Sequence, residues 1–275
     1  MAADEALAKA IEAVGRSAKY RAIAPETIAD VVTREYEAGG DGKAATARAR
    51  KRLHRAVAPY LGVPDSRAIA RLEAAFEAGA PEPVLLDLLA THFSSRERLV
   101  VMRELYRAIF AVTGTPATVA DLACTLNPLA FRWMGLPAST RYLAYDFNAR
   151  MVAVVARYLE LEGLRGRAEQ RDVLCSPLPE RSDVALILKV FDNMEARRRG
   201  AGWTAVDHAN ADWIALSFPA RGMSGRPADF SGKHLPRLRE GAGERGWTLV
   251  ETLRFATEIV VVLRTGPAAP AGRGG

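Results

Sequence analysis

The chain has 275 residues, 49% of them hydrophobic and 25% charged, which are ordinary globular values with length for one large domain or two smaller ones. No apolar run reaches the roughly 20 residues that span a bilayer, and the N-terminus lacks an export pattern. With only two cysteines, Cys124 and Cys175, a disulfide framework or cysteine metal cluster is excluded, and a cytoplasmic protein with no membrane association is expected.

Up to about residue 110 the apolar residues recur at helical spacing. Helices are predicted at 5–14, 25–36, 42–60, 66–78, 83–92 and 95–110, the second opening on Pro25-Glu26. Gly39-Gly40, Pro64 and Gly79-Ala80-Pro81 separate them. From Thr115 the pattern becomes β/α alternation, with strands predicted at 118–123, 142–146, 168–172, 184–190, 213–218, 248–255 and 258–263. Helical segments between the first five strands imply a mostly parallel sheet covered on both faces. The last two strands are joined by almost nothing and should form an antiparallel hairpin at the sheet edge. This α/β arrangement is that of class I S-adenosylmethionine methyltransferases, a Rossmann-like seven-stranded fold, here preceded by an all-helical region. The expected division is 1–93 for a helical domain, 94–265 for the α/β domain and 266–275 for a Gly/Pro/Ala-rich disordered tail.

Residues 118–128 read as a buried strand running into a tight turn, and Asp146 ends the next strand roughly 20 residues later. An acid at that spacing holds a ribose through its hydroxyls in nucleotide-type α/β folds, so an adenosine-containing cofactor is expected. Asp121, Asp172 and Lys189 fall at other strand ends, where ligands of open parallel sheets bind. Thr125 stands where such turns usually carry glycine. Cys124 has no histidine close in sequence and is expected to pack rather than react. His54, His92, His208 and His234 lack metal-ligand spacing, so no metal is expected.

Several motifs in order carry a resemblance. They are Ser17-Ala18-Lys19-Tyr20-Arg21-Ala22-Ile23-Ala24-Pro25, Lys51-Arg52-Leu53-His54, and His92-Phe93-Ser94-Ser95-Arg96-Glu97-Arg98-Leu99. Asp121-Leu122-Ala123-Cys124, Leu126-Asn127-Pro128-Leu129 and Trp133-Met134-Gly135-Leu136-Pro137 follow. From about Arg16 to Leu263 the chain resembles the 16S ribosomal RNA guanine-N7 methyltransferases that confer aminoglycoside resistance. The resemblance implies S-adenosylmethionine as cofactor, with Arg98 on its carboxylate, Asp146 on the ribose and Asp172 by the adenine. Ala123, Thr125, Val173 and Lys189 would complete that site. Guanine N7 carries an available lone pair, so positioning rather than a catalytic base is implied, and the target base must leave its stack. Phe191 or Trp203 could stack on it, with Arg221 and Arg226 also at the target base.

The chain departs from the family pattern at Thr125, at 190–195 after the fourth strand, and at Gly222 in the loop after the fifth. Its basic residues form two clusters. One is Lys43, Arg48, Arg50, Lys51, Arg52 and Arg55; the other is Arg221, Arg226, Lys233, Arg237 and Arg239. Phosphate contacts from such groups would be salt-sensitive. With the resemblance they imply 16S rRNA in the assembled 30S subunit as partner, met by a monomeric enzyme. A homologue that binds the subunit with weak or lost activity is the alternative, and a small-molecule methyltransferase leaves the basic helices without a task.

Overall fold

The computed structural model describes residues 2–39, 42–57, 64–221 and 229–266, with backbone alone at 2, 3, 56 and 57. The chain opens with α1 (Ala2–Gly15), α2 (Pro25–Glu37), α3 (Gly42–Val57), α4 (Ala68–Glu77), α5 (Glu82–Thr91), α6 (Phe93–Arg98) and α7 (Met102–Thr113). Then come β1 (Thr118–Leu122), a 3-10 turn at Asn127–Ala130, α8 (Phe131–Met134), β2 (Arg141–Asp146), α9 (Ala149–Leu161) and β3 (Gly166–Gln170). β4 (Ser182–Leu188), α10 (Phe191–Arg197), α11 (Ala201–His208), β5 (Ala211–Pro219), a π-helical turn at Phe230–His234, α12 (Leu235–Glu244), β6 (Thr248–Arg254) and β7 (Glu258–Arg264) complete it. The helix expected at 95–110 is two helices, because the chain turns at residues 99–101. The expected tail lies outside the described residues from 267 onward.

The strands form one sheet in the order β3-β2-β1-β4-β5-β7-β6. Neighbours among β1 to β5 are parallel, and β7 runs antiparallel to both β5 and β6. The apolar runs of β4 and β7 are almost wholly buried, as strands covered on both faces must be. Strand order reverses between β1 and β4, which opens a crevice at their carboxyl ends. β3 stops at Gln170 and β4 at Leu188, so Asp172 and Lys189 sit on the turns that leave those strands.

Each face of the sheet has its own core. One packs Leu72, Leu85, Leu88, Leu105 and Tyr106 of α4, α5 and α7 with Val155 and Tyr158 of α9. The other packs Met194, Ala205, Val206 and Leu238 of α10 to α12. A third cluster, with Val14, Ile28, Val32, Ala49 and Leu53, is built from α1 to α3 with Tyr20 and Ile23 between the first two, and Phe147 after β2 packs against it. α4 and α5, within the expected helical region 1–93, contribute Leu72, Leu85, Leu88 and Leu89 to the core on one face of the sheet. The α1–α3 unit is joined to it by backbone pairing: Ala24 N donates to Phe147 O (2.8 Å) and Ala149 N to Ala22 O (2.8 Å). No helix among the described residues is long and apolar enough to cross a membrane.

Gly166 opens β3 with φ +139°, and a Cβ there would lie 1.9 Å from the Tyr142 carbonyl oxygen. Backbone cannot retreat as a side chain can. Gly166→Ala is expected to cost at least ~3 kcal/mol, read as a lowered denaturation midpoint.

Candidate active site

The pocket at the β1/β4 switch is built from three segments. His92, Ser94, Ser95 and Arg98 come from α6 and the residue before it. Asp121, Ala123, Cys124, Thr125 and Asn127 come from β1 and its turn, and Leu188, Lys189 and Val190 from the end of β4. Ala123 (φ 51°), Thr125 (φ 48°) and Lys189 (φ 57°) all hold left-handed backbone at this pocket. Such conformations cost about 1–3 kcal/mol each for non-glycine residues and persist where surrounding contacts enforce them. Thr125 thus occupies a conformation glycine would adopt freely. Its N–H donates to Asp146 Oδ2 (2.9 Å).

Beneath the pocket runs a buried polar network centred on Arg98 and Glu258, the first residue of β7. Arg98 Nε donates to Glu258 Oε2 (3.0 Å) and Nη2 to Glu258 Oε1 (2.8 Å). Arg98 Nη1 donates to Asn127 Oδ1 (2.8 Å), which also accepts from Tyr106 Oη (2.5 Å). Asn127 Nδ2 (2.8 Å) and Tyr142 Oη (2.7 Å) both donate to Asp121 Oδ2. Ser217 Oγ donates to Glu258 Oε1 (2.5 Å), and Lys189 Nζ lies 2.8 Å from Glu97 and 3.6 Å from Glu258. Burial works against the charge on Arg98, but Glu258 outweighs it and holds the guanidinium above its usual range. Burial pushes the Asp121 carboxyl up to about 6, against the hydrogen bonds from Asn127 and Tyr142. Burial, then the charge of Arg98, pulls His92 down to about 4, so its ring is neutral at pH 7. Burial raises the Cys124 thiol well above its ordinary value, which suits packing and not nucleophilic attack.

A guanidinium has five N–H donors. Glu258 takes the side-on edge of Arg98 and Asn127 a third donor, which leaves one N–H on each terminal nitrogen at a residue that lines the pocket. Two such groups match one more carboxylate. Asp146 accepts from Asn148 N at Oδ1 (2.8 Å) and from Thr125 N at Oδ2 (2.9 Å), so each oxygen keeps a lone pair for a hydroxyl. Arg98 lines the pocket, whereas Asp146 is buried at the end of β2, reaching the pocket's turn through Thr125 N, and is not itself among the lining residues.

Asp172, expected beside the adenine, is buried and fully engaged. It accepts from Thr27 Oγ1 (2.8 Å), Arg197 Nη1 (2.6 Å) and Leu174 N (3.0 Å), while its own N–H donates to Glu26 Oε1 (3.1 Å). Arg197 also reaches Asp30 (3.2 Å). Asp172 therefore joins α2, the β3 turn and α10. Val173, next to it, is buried, and its carbonyl lies 2.7 Å from His208 Nδ1.

Other expectations are corrected by packing. Phe191 is buried, edge-on to Trp203 (5.9 Å) and tilted against Phe218 (5.7 Å), so it belongs to the core and presents no face to a base. Trp203 is covered by Arg245, whose guanidinium carbon lies 4.4 Å from the indole centroid. Arg48 donates to Glu35 Oε2 (2.8 Å) and to the Glu35 and Gly39 carbonyls (2.7 Å each), and Arg52 pairs with the same carboxylate. These two fasten α3 to α2, whereas Lys43, Arg50, Lys51 and Arg55 are exposed. Lys233 and Arg221 are exposed, and Arg226 lies outside the described residues.

A family model described as ribosomal RNA methyltransferase (FmrO) matches residues 16–263. The chain belongs to this family. A 16S rRNA (guanine(1405)-N(7))-methyltransferase of Frankia casuarinae is 36% identical over 269 residues, covering 95% of this chain and 94% of the relative. The enzyme of the same name from Micromonospora rosea is 32% identical, covering 94% and 97%. Among solved structures, the 16S rRNA methyltransferase RmtF in complex with S-adenosyl-L-homocysteine superimposes with a TM-score of 0.78 at 26% identity, covering 95% of this chain and 99% of that one. The 16S rRNA methylase RmtB gives 0.77 at 26%, covering 94% and 98%. The FmrO-family fold is thus the seven-stranded α/β architecture read from the strand pattern.

Sequence reasoning missed Glu258, Glu97 and Tyr106. The one local signal for Glu258 is an acid opening an otherwise apolar run, Ile259-Val260-Val261-Val262-Leu263. Removing it strands Arg98 in the interior. Glu258→Ala is expected to cost about 3–5 kcal/mol, and Glu258→Gln clearly less because it keeps the shape and one acceptor. Urea denaturation of both variants measures the difference.

Proposed function

We propose that this protein transfers a methyl group from S-adenosylmethionine to guanine N7 in the decoding site of 16S rRNA, at the position that gives its relatives their name, guanine 1405. The observation that carries the proposal is the free edge of Arg98 beside the strained β1 turn, in a chain of the FmrO family. S-adenosylmethionine, when bound, supplies a methyl group on a sulfonium. Arg98 holds its carboxylate and Asp146 its ribose hydroxyls. Ala123 and Thr125 approach it with backbone, and Val173 packs at the adenine with Asp172 behind it. Lys189 lines the pocket from the other strand, its charge balanced by Glu97 and Glu258.

N7 attacks with its own lone pair, so no side chain has to take a proton. The chain's task is to hold two reactants in line and exclude water, and orientation of that kind can supply several kcal/mol of barrier reduction, roughly 7–11 in the best intramolecular cases. The substrate form is the assembled 30S subunit, met by a monomer in the cytoplasm. The α1–α3 unit, with Lys43, Arg50, Lys51 and Arg55 exposed, docks the rRNA, and Arg221 and Lys233 face it beyond β5. The segment from α4 to β7 carries the methyl transfer. The new methyl and positive charge would remove a Hoogsteen acceptor and repel polycationic aminoglycosides, giving resistance to 4,6-disubstituted deoxystreptamines.

Incubating purified 30S subunits with protein and radiolabelled S-adenosylmethionine, then mapping aniline-sensitive scission, tests this. Label at one decoding-site guanine is expected. No incorporation, together with intact subunit binding, would favour the reading in which catalysis has been lost. Thr125 is the observation behind that second reading, since its side chain stands at the pocket. Thr125→Gly is expected to tighten S-adenosylhomocysteine binding several-fold with little change in stability, as measured by calorimetry and thermal melting.

Burial pushes the Asp146 carboxyl up to about 6 despite the amides of Asn148 and Thr125, and the charges of Asp121 and Asp172 add to the rise. The ionised form accepts both ribose hydroxyls, so ligand binding favours loss of that proton. Affinity for S-adenosylhomocysteine should be level above pH 6 and fall by up to about tenfold per pH unit below it. Asp146→Asn should bind weakly at every pH and flatten that profile.

A further inference from the structure

α6, α7 and the turn between them carry a row of exposed side chains that the proposed function leaves unused. Phe93 and Arg96 lie on α6, Val100 on the turn, and Arg103 and Arg107, four apart, on α7. Phe93 is 61% exposed and Val100 77%, the two most exposed large hydrophobics among the described residues. The Arg96 guanidinium carbon sits 5.5 Å from the Phe93 ring centroid. Several other surface arginines are paired, as Arg34 is with Asp30, Arg71 with Asp87 and Arg157 with Glu73. Among the described residues no carboxylate lies within ion-pair distance of Arg96, Arg103 or Arg107, although Glu104 is exposed on the same helix.

We propose that this row is an additional RNA-contact surface, on which an unstacked rRNA base lies against Phe93 and Arg96 while backbone phosphates meet Arg103 and Arg107. An aromatic ring beside an arginine is the chemistry that recognises splayed-out bases, and unpaired arginines match phosphate. Placement favours RNA over any other partner. His92, Ser94, Ser95 and Arg98 of the same short segment line the pocket, so Phe93 and Arg96 are interleaved with pocket residues on α6, and Arg103 and Arg107 follow on the next helix. A protein partner would meet three arginines against one exposed carboxylate on these two helices, Glu104.

The inference rests on the rRNA reading above, and its test separates the two. Equilibrium binding of purified 30S subunits is measured across salt concentrations for wild type, Phe93→Ala, Phe93→Trp and the double variant Arg103→Gln/Arg107→Gln. S-adenosylhomocysteine affinity of each serves as the control for folding and for the pocket. Phe93→Ala should bind subunits about tenfold more weakly at every salt concentration, and Phe93→Trp should bind as wild type does. The double arginine variant should lower the slope of log K against log salt by about 1.5. Cofactor affinity should not change in any of them. Wild-type binding and slope in all variants would overturn the proposal while leaving the rRNA reading intact. Weakened binding by Phe93→Ala with an unchanged slope in the arginine variant would place a ribosomal protein on the row and overturn it too. A wild-type protein that does not bind subunits at all sinks both readings.

Discussion

The buried ion pair between Arg98 and Glu258 is the constraint on which the rest of the site depends. Two charges taken out of water are costly, and they persist only where further hydrogen bonds satisfy them. Here Ser217, Asn127 and Lys189 provide that shell. The direction of β7 makes it possible. Because β7 runs antiparallel to β5, its first residue pairs with Pro219 at the carboxyl end of the parallel strands. A parallel seventh strand would have put Glu258 at the opposite end of the sheet. The edge hairpin, which at first is only a topological signature, is thus the element that delivers the counter-charge to the crevice.

The second joint is Asp172. Thr27 and Glu26 of α2 and Arg197 of α10 meet around it, and the strand-like contact of Ala24 with Phe147 lies alongside. The α1–α3 unit has its own apolar cluster yet is fastened at the ends of β2 and β3. In the proposed reaction, that attachment converts docking on rRNA into a fixed approach of one guanine to the pocket.

Elements with local signals were legible in the sequence. The apolar runs, the near-zero connection between β6 and β7 and the acid of Asp146 all mark themselves within a few residues. What was hidden arises from contacts far apart in the chain. Glu258 and Arg98 are 160 positions apart, so nothing beside either one announces the pair. Phe191 follows a strand and carries an aromatic ring, and only the packing of Trp203 and Phe218 shows that the ring is interior. In α3, Ala45, Ala49 and Leu53 face inward, and that period places Arg48 and Arg52 on the flank nearest α2, where Glu35 waits. The cationic count alone could not separate a structural arginine from a docking one. Thr125 was readable as an anomaly, and the left-handed backbone at that residue explains why glycine is the usual choice.

In the proposed site Glu258 turns Arg98 so that its remaining N–H groups grip a carboxylate. Calorimetry with S-adenosylhomocysteine and with 5′-methylthioadenosine, which lacks the amino-acid carboxylate, tests it in wild type and in Arg98→Lys. The wild-type protein should bind S-adenosylhomocysteine at least about tenfold more tightly than methylthioadenosine, and the lysine variant should lose most of that gap while keeping its affinity for methylthioadenosine. Equal affinities in the wild type, or a gap that survives in Arg98→Lys, would contradict it.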